Sequence, residues 1–302
     1  MIFRLWRQMH EKEMETHKPL VTYRSAAADN LSIFKERQFQ QDGYTGELVA
    51  ELNGMEIRIG QGVSAAGIGV NLQKLLIFGM IAFTGTFSKA NRSEHYEVSF
   101  RLDDYIRITR GSGDNDPEQY EKAKYDVQKR IKRELLLLQS IRCTWSDNKG
   151  NFDSVSLVYR ATSNNGMITI GFSPPFAAHL LKQKKTTVHP ALFRIDARNS
   201  TAYAIGWKLT GYRSMNKRRP DQANRIRVKN LLKVTTLPKY NDVRKRGQGW
   251  SRKIRKPFEK AMNDLVKIGL LKSWKYETQI GSSYYDFSGK IVCFELAEPY
   301  DF

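Results

Sequence analysis

The chain has 302 residues with 40% hydrophobic and 11% aromatic side chains, which excludes a wholly disordered basic tail and leaves room for two or three domains. Its net charge of +19 is concentrated: Lys182 to Lys275 carries 26 Lys or Arg against 5 Asp or Glu, while residues 1–120 carry 14 against 16. A merely solvated surface interleaves the two signs, so this excess reads as a footprint for a polyanion, and nucleic acid is the expected partner.

Residues 1–62 read as an N-terminal extension leading into a joint built on Gly60, Gly62, Gly67 and Gly69. Met1–Trp6 is too short for a signal peptide and is followed at once by charge. The longest apolar run, Leu75–Phe83, is nine residues, against roughly 20 for a bilayer span. Cys143 and Cys293, the only cysteines, sit in apolar, strand-like contexts and read as buried free thiols. A cytoplasmic protein with no membrane contact is expected.

Residues 63–185 are expected to form a first domain: a helix over Val70–Phe83, a short strand over Val98–Leu102, then a helix begun by Tyr105, Ile106 and Ile108. Gly111–Pro117, with Asp114 and Asp116, reads as a turn and cap, and Asp103-Asp104 as a solvated helix start. A long amphipathic helix follows, with Tyr120, Ala123, Val127, Ile131, Leu135 and Leu138 inward and Lys122, Lys129 and Arg133 outward. A hairpin over Ile141–Phe172, turning near Gly166, closes the domain. Lys182, Lys184 and Lys185 lie between the domains, and whether they touch DNA is left open.

Residues 186–302 follow the same plan. A helix over Thr201–Arg213 precedes a strand at Arg225–Val228, then Leu231, Leu232 and Val234, a long helix, and a hairpin over Leu270–Leu296 turning near Gly289. Leu102/Val228, Tyr105/Leu231, Ile106/Leu232, Ile108/Val234 and Thr109/Thr235 are 126 positions apart; Leu136/Leu265, Leu137/Val266, Ile141/Leu270 and Trp145/Trp274 are 129 apart. A constant offset with a three-residue slip indicates two copies of one domain. Helix, strand, helix, helix, hairpin is the winged helix-turn-helix order, so the expected fold class is α+β: two tandem winged helix-turn-helix domains with a short N-terminal extension.

The second copy carries the stronger DNA-binding signal. Ile254, Phe258, Ala261, Met262 and Leu265 fall within about 100° of one another on a helical projection, with Arg252, Lys253, Lys256, Lys260 and Lys267 opposite and Arg255 at the edge. Pro257 marks either a kink or the start of the regular helix. Lys217, Arg218 and Arg219 sit in a loop that could reach a phosphate backbone, and Arg244, Lys245 and Arg246 form a basic approach to the reading helix. Trp145, Trp207 and Trp274 read as core, whereas Trp250, between Gly249 and Ser251, reads as exposed and DNA-facing.

The stretch from Asn199 to Leu271 resembles the replication initiator proteins of plasmids and related mobile elements. The resemblance rests on Ser200–Leu209, Ile226–Leu232, Leu237–Tyr240 and Ile254–Glu259; upstream, Gly166–Ser173 with Leu180-Leu181 is similar to the pattern joining that family's two winged helices. It implies binding to repeated duplex sites at an origin, opening of an adjacent A·T-rich segment, and recruitment of a host initiator and replicative helicase. A homodimer is left open. A transcriptional regulator using the same domains is the alternative reading.

No catalytic constellation is evident in the sequence. His10, His17, His95, His179 and His189 are all more than six residues apart, so no His-x-His metal site accompanies the fourteen tyrosines, and no phosphate-binding glycine loop ends in lysine. No cofactor and no enzymatic activity are expected.

Overall fold

A computed structural model of the chain describes residues 20–298 apart from 24, 26–30, 53–54, 89–94, 111–116, 147–151, 217–218 and 247. The chain divides into two compact units, Met1–Thr186 and Thr187–Phe302, each combining helices with antiparallel sheet.

In the first unit, β1 (Val21–Tyr23), β2 (Gln40–Gln41), β3 (Leu48–Leu52) and β4 (Met55–Ile59) precede the central helix α1 (Val70–Thr86). Its apolar run is buried on nearly every side, as a helix without a polar face must be. Rings close around one end of it: Phe83 lies 5.1–6.1 Å from Tyr23, Phe87, Tyr96 and Phe172. Next come β5 (Tyr96–Arg101), α2 (Leu102–Arg110) and α3 (Pro117–Ser140), whose Val127, Ile131, Leu135 and Leu138 are buried as expected.

Two expectations for this unit are corrected. The hairpin expected over Ile141–Phe172 is two separate pairings. β6 (Ile141–Ser146) and β7 (Phe152–Ser156) join a five-stranded sheet of order β2-β3-β4-β6-β7, while β8 (Val158–Asn164) and β9 (Met167–Phe172) form a three-stranded sheet with β5, in the order β5-β9-β8. Alternation explains the first sheet: Ile141 and Cys143 of β6 are buried with Met55, Ile57 and Ile59 of β4, and the antiparallel register pairs Ile57 with Cys143. The turn at Gly166 serves only β8–β9, where Asn165 at φ 47° and Gly166 at φ 72° make a two-residue connection of the left-handed kind that Asn-Gly favours. By the same β4–β6 pairing, β3 and β4 are built into the first unit and are not an extension ahead of it. The unit ends with α4 (Pro174–Lys182), capped by the Ser173 hydroxyl, and β10 (Lys185–Thr187), which pairs with β1.

The second unit runs α5 (Ala191–Arg194), α6 (Ser200–Met215), α7 (Pro220–Ala223), β11 (Arg225–Arg227), α8 (Val228–Leu232) and α9 (Tyr240–Lys245). A π turn over Ser251–Arg255 then leads into α10 (Lys256–Lys267), followed by β12 (Leu271–Tyr276), α11 (Tyr284–Gly289) and β13 (Ile291–Leu296). The reading of Pro257 as the start of the regular helix holds. The residue has no N–H to offer, and the turn ahead of it is widened, with Lys256 N–H bonding to Ser251 O. The regular helix starts at Lys256.

Ile254, Phe258, Ala261, Met262 and Leu265 are all buried, so the expected inner stripe is the core of this unit. Gly206 lets α6 and α10 approach closely, since a Cβ there would meet Leu265 Cδ2 at 3.1 Å and Leu192 Cδ2 at 3.0 Å. Bonds from Gly269 N–H to Val266 O and Leu270 N–H to Leu265 O close α10 and release the chain into β12. β12 and β13 pair as expected, in the sheet order β11-β13-β12, but their connection carries α11, capped by Ser283 and anchored by the fully buried Phe287. Phe258→Ala should therefore lower stability by about 3–5 kcal/mol in chemical denaturation. Tyr285→Ala, at an exposed position, should shift it by less than about 0.5 kcal/mol.

Candidate nucleic-acid interface

Fixing the inner stripe of α10 fixes what its outer side presents. Arg252, Lys256, Lys260 and Lys267 are exposed along it. Lys253 is half-buried, because residues of a widened turn advance by less than the regular helical step and its side chain is rotated off the outer line. Arg255 is half-buried as well: its Nε donates to Glu259 Oε1 at 2.8 Å, and the Tyr276 hydroxyl donates to the same oxygen at 3.3 Å. The Glu259 bond holds the Arg255 guanidinium in its charged form, while burial and then the Glu259 charge push the Tyr276 hydroxyl upward in pKa. Arg255 is thus a partly neutralised cation at the edge of the stripe.

Arg244 and Lys245 are exposed in the last turn of α9, with Arg246 exposed just after it. Arg219 is exposed ahead of α7, whereas Lys217 and Arg218 lie outside the described residues, as do Asp114 and Asp116. Further cations of the second unit, not singled out in the sequence, are exposed as well: Arg227, Lys229 and Lys233 around α8, Lys239 before α9, and Lys272 and Lys275 on β12. The regional charge count contained them, but their segments are too short for a helical projection to place.

Trp250 is not a free platform. Its ring lies 5.6 Å from Phe287 and 5.9 Å from Tyr284, and Tyr284 stacks flat on Tyr240 at 4.1 Å. The small neighbours of Trp250 suggested exposure, yet its partners come from α11, more than thirty residues away. Trp207 is buried; Trp274 is half-buried with its indole N–H on Asn263; the Trp145 side chain lies outside the described residues.

In the first unit, Lys122, Lys129 and Arg133 are exposed on α3, but they alternate with the exposed Glu118, Glu121 and Asp126. Lys129 Nζ sits 5.2 Å over the Tyr125 ring, and Lys124 reaches Glu121 at 3.8 Å and Asp103 at 4.0 Å. Inside the unit, Arg130 is ion-paired with the buried Glu134 at 3.0 Å; burial raises the pKa of this carboxyl against the pull of Arg130, a polar pair that apolar periodicity could not reveal. At the end of the unit Lys182 and Lys184 are exposed, and the Lys185 ammonium lies 5.3 Å over Tyr23. Cys143 is buried, its thiol pushed up to about 12 by desolvation, while Cys293, expected to be buried, is half-buried.

Among the described residues no group of three or more His, Cys, Asp or Glu is placed to hold a metal ion, and no helix is long and apolar enough to cross a membrane. No family model matches the chain, and no curated protein matches it either. Among solved structures, the chain is similar to that of the Pi initiator protein in complex with iteron DNA, at 9% identity and a TM-score of 0.50, over 94% of this chain and 99% of that one. At that identity the likeness speaks for the fold.

The aromatic contacts of Trp250 give a direct test. Trp250→Ala should lower stability by about 2 kcal/mol, read from denaturation, whereas Trp250→Phe should retain both stability and any DNA affinity. A stable Trp250→Ala protein that loses only DNA binding would restore the ring as a DNA contact.

Proposed function

We propose that this chain is a sequence-specific, duplex-DNA-binding replication initiator built from tandem winged helices. On this reading α10 enters a major groove and the β12–β13 hairpin is the wing. The observation that carries it is the line of exposed cations on α10, opposite a fully buried stripe, in a fold similar to that of an initiator solved on iteron DNA. The second unit supplies most of the electrostatic attraction. The first, with mixed charge on α3, adds a weaker contact or a protein–protein surface. Binding repeated origin sites, promoting opening of an A·T-rich flank and recruiting a host initiator and replicative helicase follow from the family resemblance; action by bending DNA without cutting it is the mechanical alternative that a sequence without a catalytic constellation leaves. Bending 20–30 base pairs costs on the order of 1–6 kcal/mol, which additional phosphate contacts offset.

If about 8–10 phosphates are neutralised, log K should fall against log salt with a slope of roughly −7 to −9 on duplex DNA. Replacing Arg252, Lys253 and Lys256 together by Gln should make that slope shallower by up to about three, and should cost far more affinity than replacing Lys122, Lys129 and Arg133. A wild-type slope shallower than about −3, or equal losses from the two triple variants, would overturn this reading.

Supercoiled origin DNA incubated with the protein and Mg²⁺ should stay supercoiled, with permanganate-reactive thymines appearing in the A·T-rich flank once host initiator is present. A nicked circle joined to the protein through a tyrosine would instead establish an enzyme.

A further inference from the structure

The outer face of α10 carries one side chain of different chemistry. Its exposed positions are, in order, Lys256, Lys260, Asn263 and Lys267, with Arg252 exposed on the widened turn ahead of it. On a projection of about 100° per residue, Asn263 lies within about 30° of the point opposite the middle of the buried stripe and about 20° from Lys256, at the edge of the line of lysines. Cations there meet any phosphate within reach; an amide at that point has little to offer a phosphate that lysine does not offer better.

Asn263 is also oriented. Its Oδ1 accepts the indole N–H of Trp274, on β12, at 2.9 Å. An indole nitrogen can only donate, so this bond defines which end of the amide is oxygen and leaves the Nδ2 donors for another partner. Trp274 is in turn held edge-on to Tyr276, with ring centroids 5.2 Å apart, and the Tyr276 hydroxyl reaches Glu259 one turn earlier on α10. Two alternate residues of one strand thus fix two residues of the helix, Asn263 and Glu259.

We propose, resting on the DNA-binding reading above, that Asn263 is the base-reading residue of the second unit and that Trp274 is its positioning residue. The base read is guanine. Its major-groove edge sets two acceptors, N7 and O6, side by side, matching an amide that presents donors. Adenine sets a donor beside N7 and needs both ends of the amide, whose oxygen already accepts from Trp274 and keeps one lone pair, whereas guanine uses the Nδ2 donors alone.

The test uses the full-length protein and duplexes that it enriches from a randomised pool. Affinity is measured over a panel in which each base pair of the selected site is replaced in turn, for wild type, Asn263→Ala, Trp274→Phe and Lys260→Ala. Wild type should discriminate at one G·C pair by roughly 10-fold, and Asn263→Ala should flatten that preference while changing the others little. Replacing that guanine by 7-deazaguanine should reproduce part of the loss in wild type and leave Asn263→Ala unaffected. Trp274→Phe, which keeps a ring and removes the hydrogen bond, should weaken discrimination at the same pair; Lys260→Ala should lower affinity evenly. An even loss with Asn263→Ala, unchanged preferences, or a flattened pair whose favoured base is adenine would overturn the proposal. Failure of wild type to enrich any duplex would sink the DNA-binding reading itself, a result distinct from an evenly weakened variant.

Discussion

The second unit depends on one burial event, the seating of the α10 stripe. Ile254, Phe258, Ala261, Met262 and Leu265 leave water together, and Gly206 on α6 removes the side chain that would hold the two helices apart. A fully buried side chain of this size contributes about 1.5–3 kcal/mol, so the stripe outweighs any single surface charge pair by a wide margin. The rotation of the helix about its axis is therefore set by the core. The cations have no say in where they point, and mutual repulsion among Arg252, Lys256 and Lys260 is tolerated because the apolar side holds them in place.

The two units use this logic differently. In the first, the central helix is apolar all round, and the five-stranded sheet is built from residues on both sides of it in sequence. Its long helix carries a buried ion pair within its inner face, and acids among the bases on its outer face. A buried pair is a poor source of net stability, because desolvation offsets most of the attraction. Its effect here is to tie one turn of α3 to the next beneath a surface whose charges largely cancel. The same helix–strand–helix–helix plan thus yields one unit with a strong field and one nearly without.

What the sequence made legible follows from the range of each interaction. The 126-residue offset located equivalent points, since Leu102 and Val228 are each the first residue of the helix that follows a strand. The inward faces of α3 and α10 were legible because a stripe repeated over three turns or more has only one way to be buried. The second offset matched Ile141 with Leu270, yet β6 pairs with β4 whereas β12 pairs with β13. Alternating apolar residues specify that a strand has a buried face and say nothing of which edge it joins, so the five-stranded sheet was beyond reach. Trp250 and Lys253 were misplaced, and the pairing of Arg255 was missed, for a related reason. The contacts that decide them come from α11, from β12 and from a turn widened ahead of proline, none of which a projection of consecutive residues contains.

The cross-bracing between β12 and α10 has a mechanical meaning. Trp274 and Tyr276 link the strand to Asn263 and Glu259, and the Tyr240–Tyr284 stack links α9 to the short helix carried by the same hairpin. β12, α9 and α11 are therefore braced by their side chains against the cationic helix or against one another, as one frame. A stiff frame closed on a duplex fits one angular separation between successive grooves and strains at others.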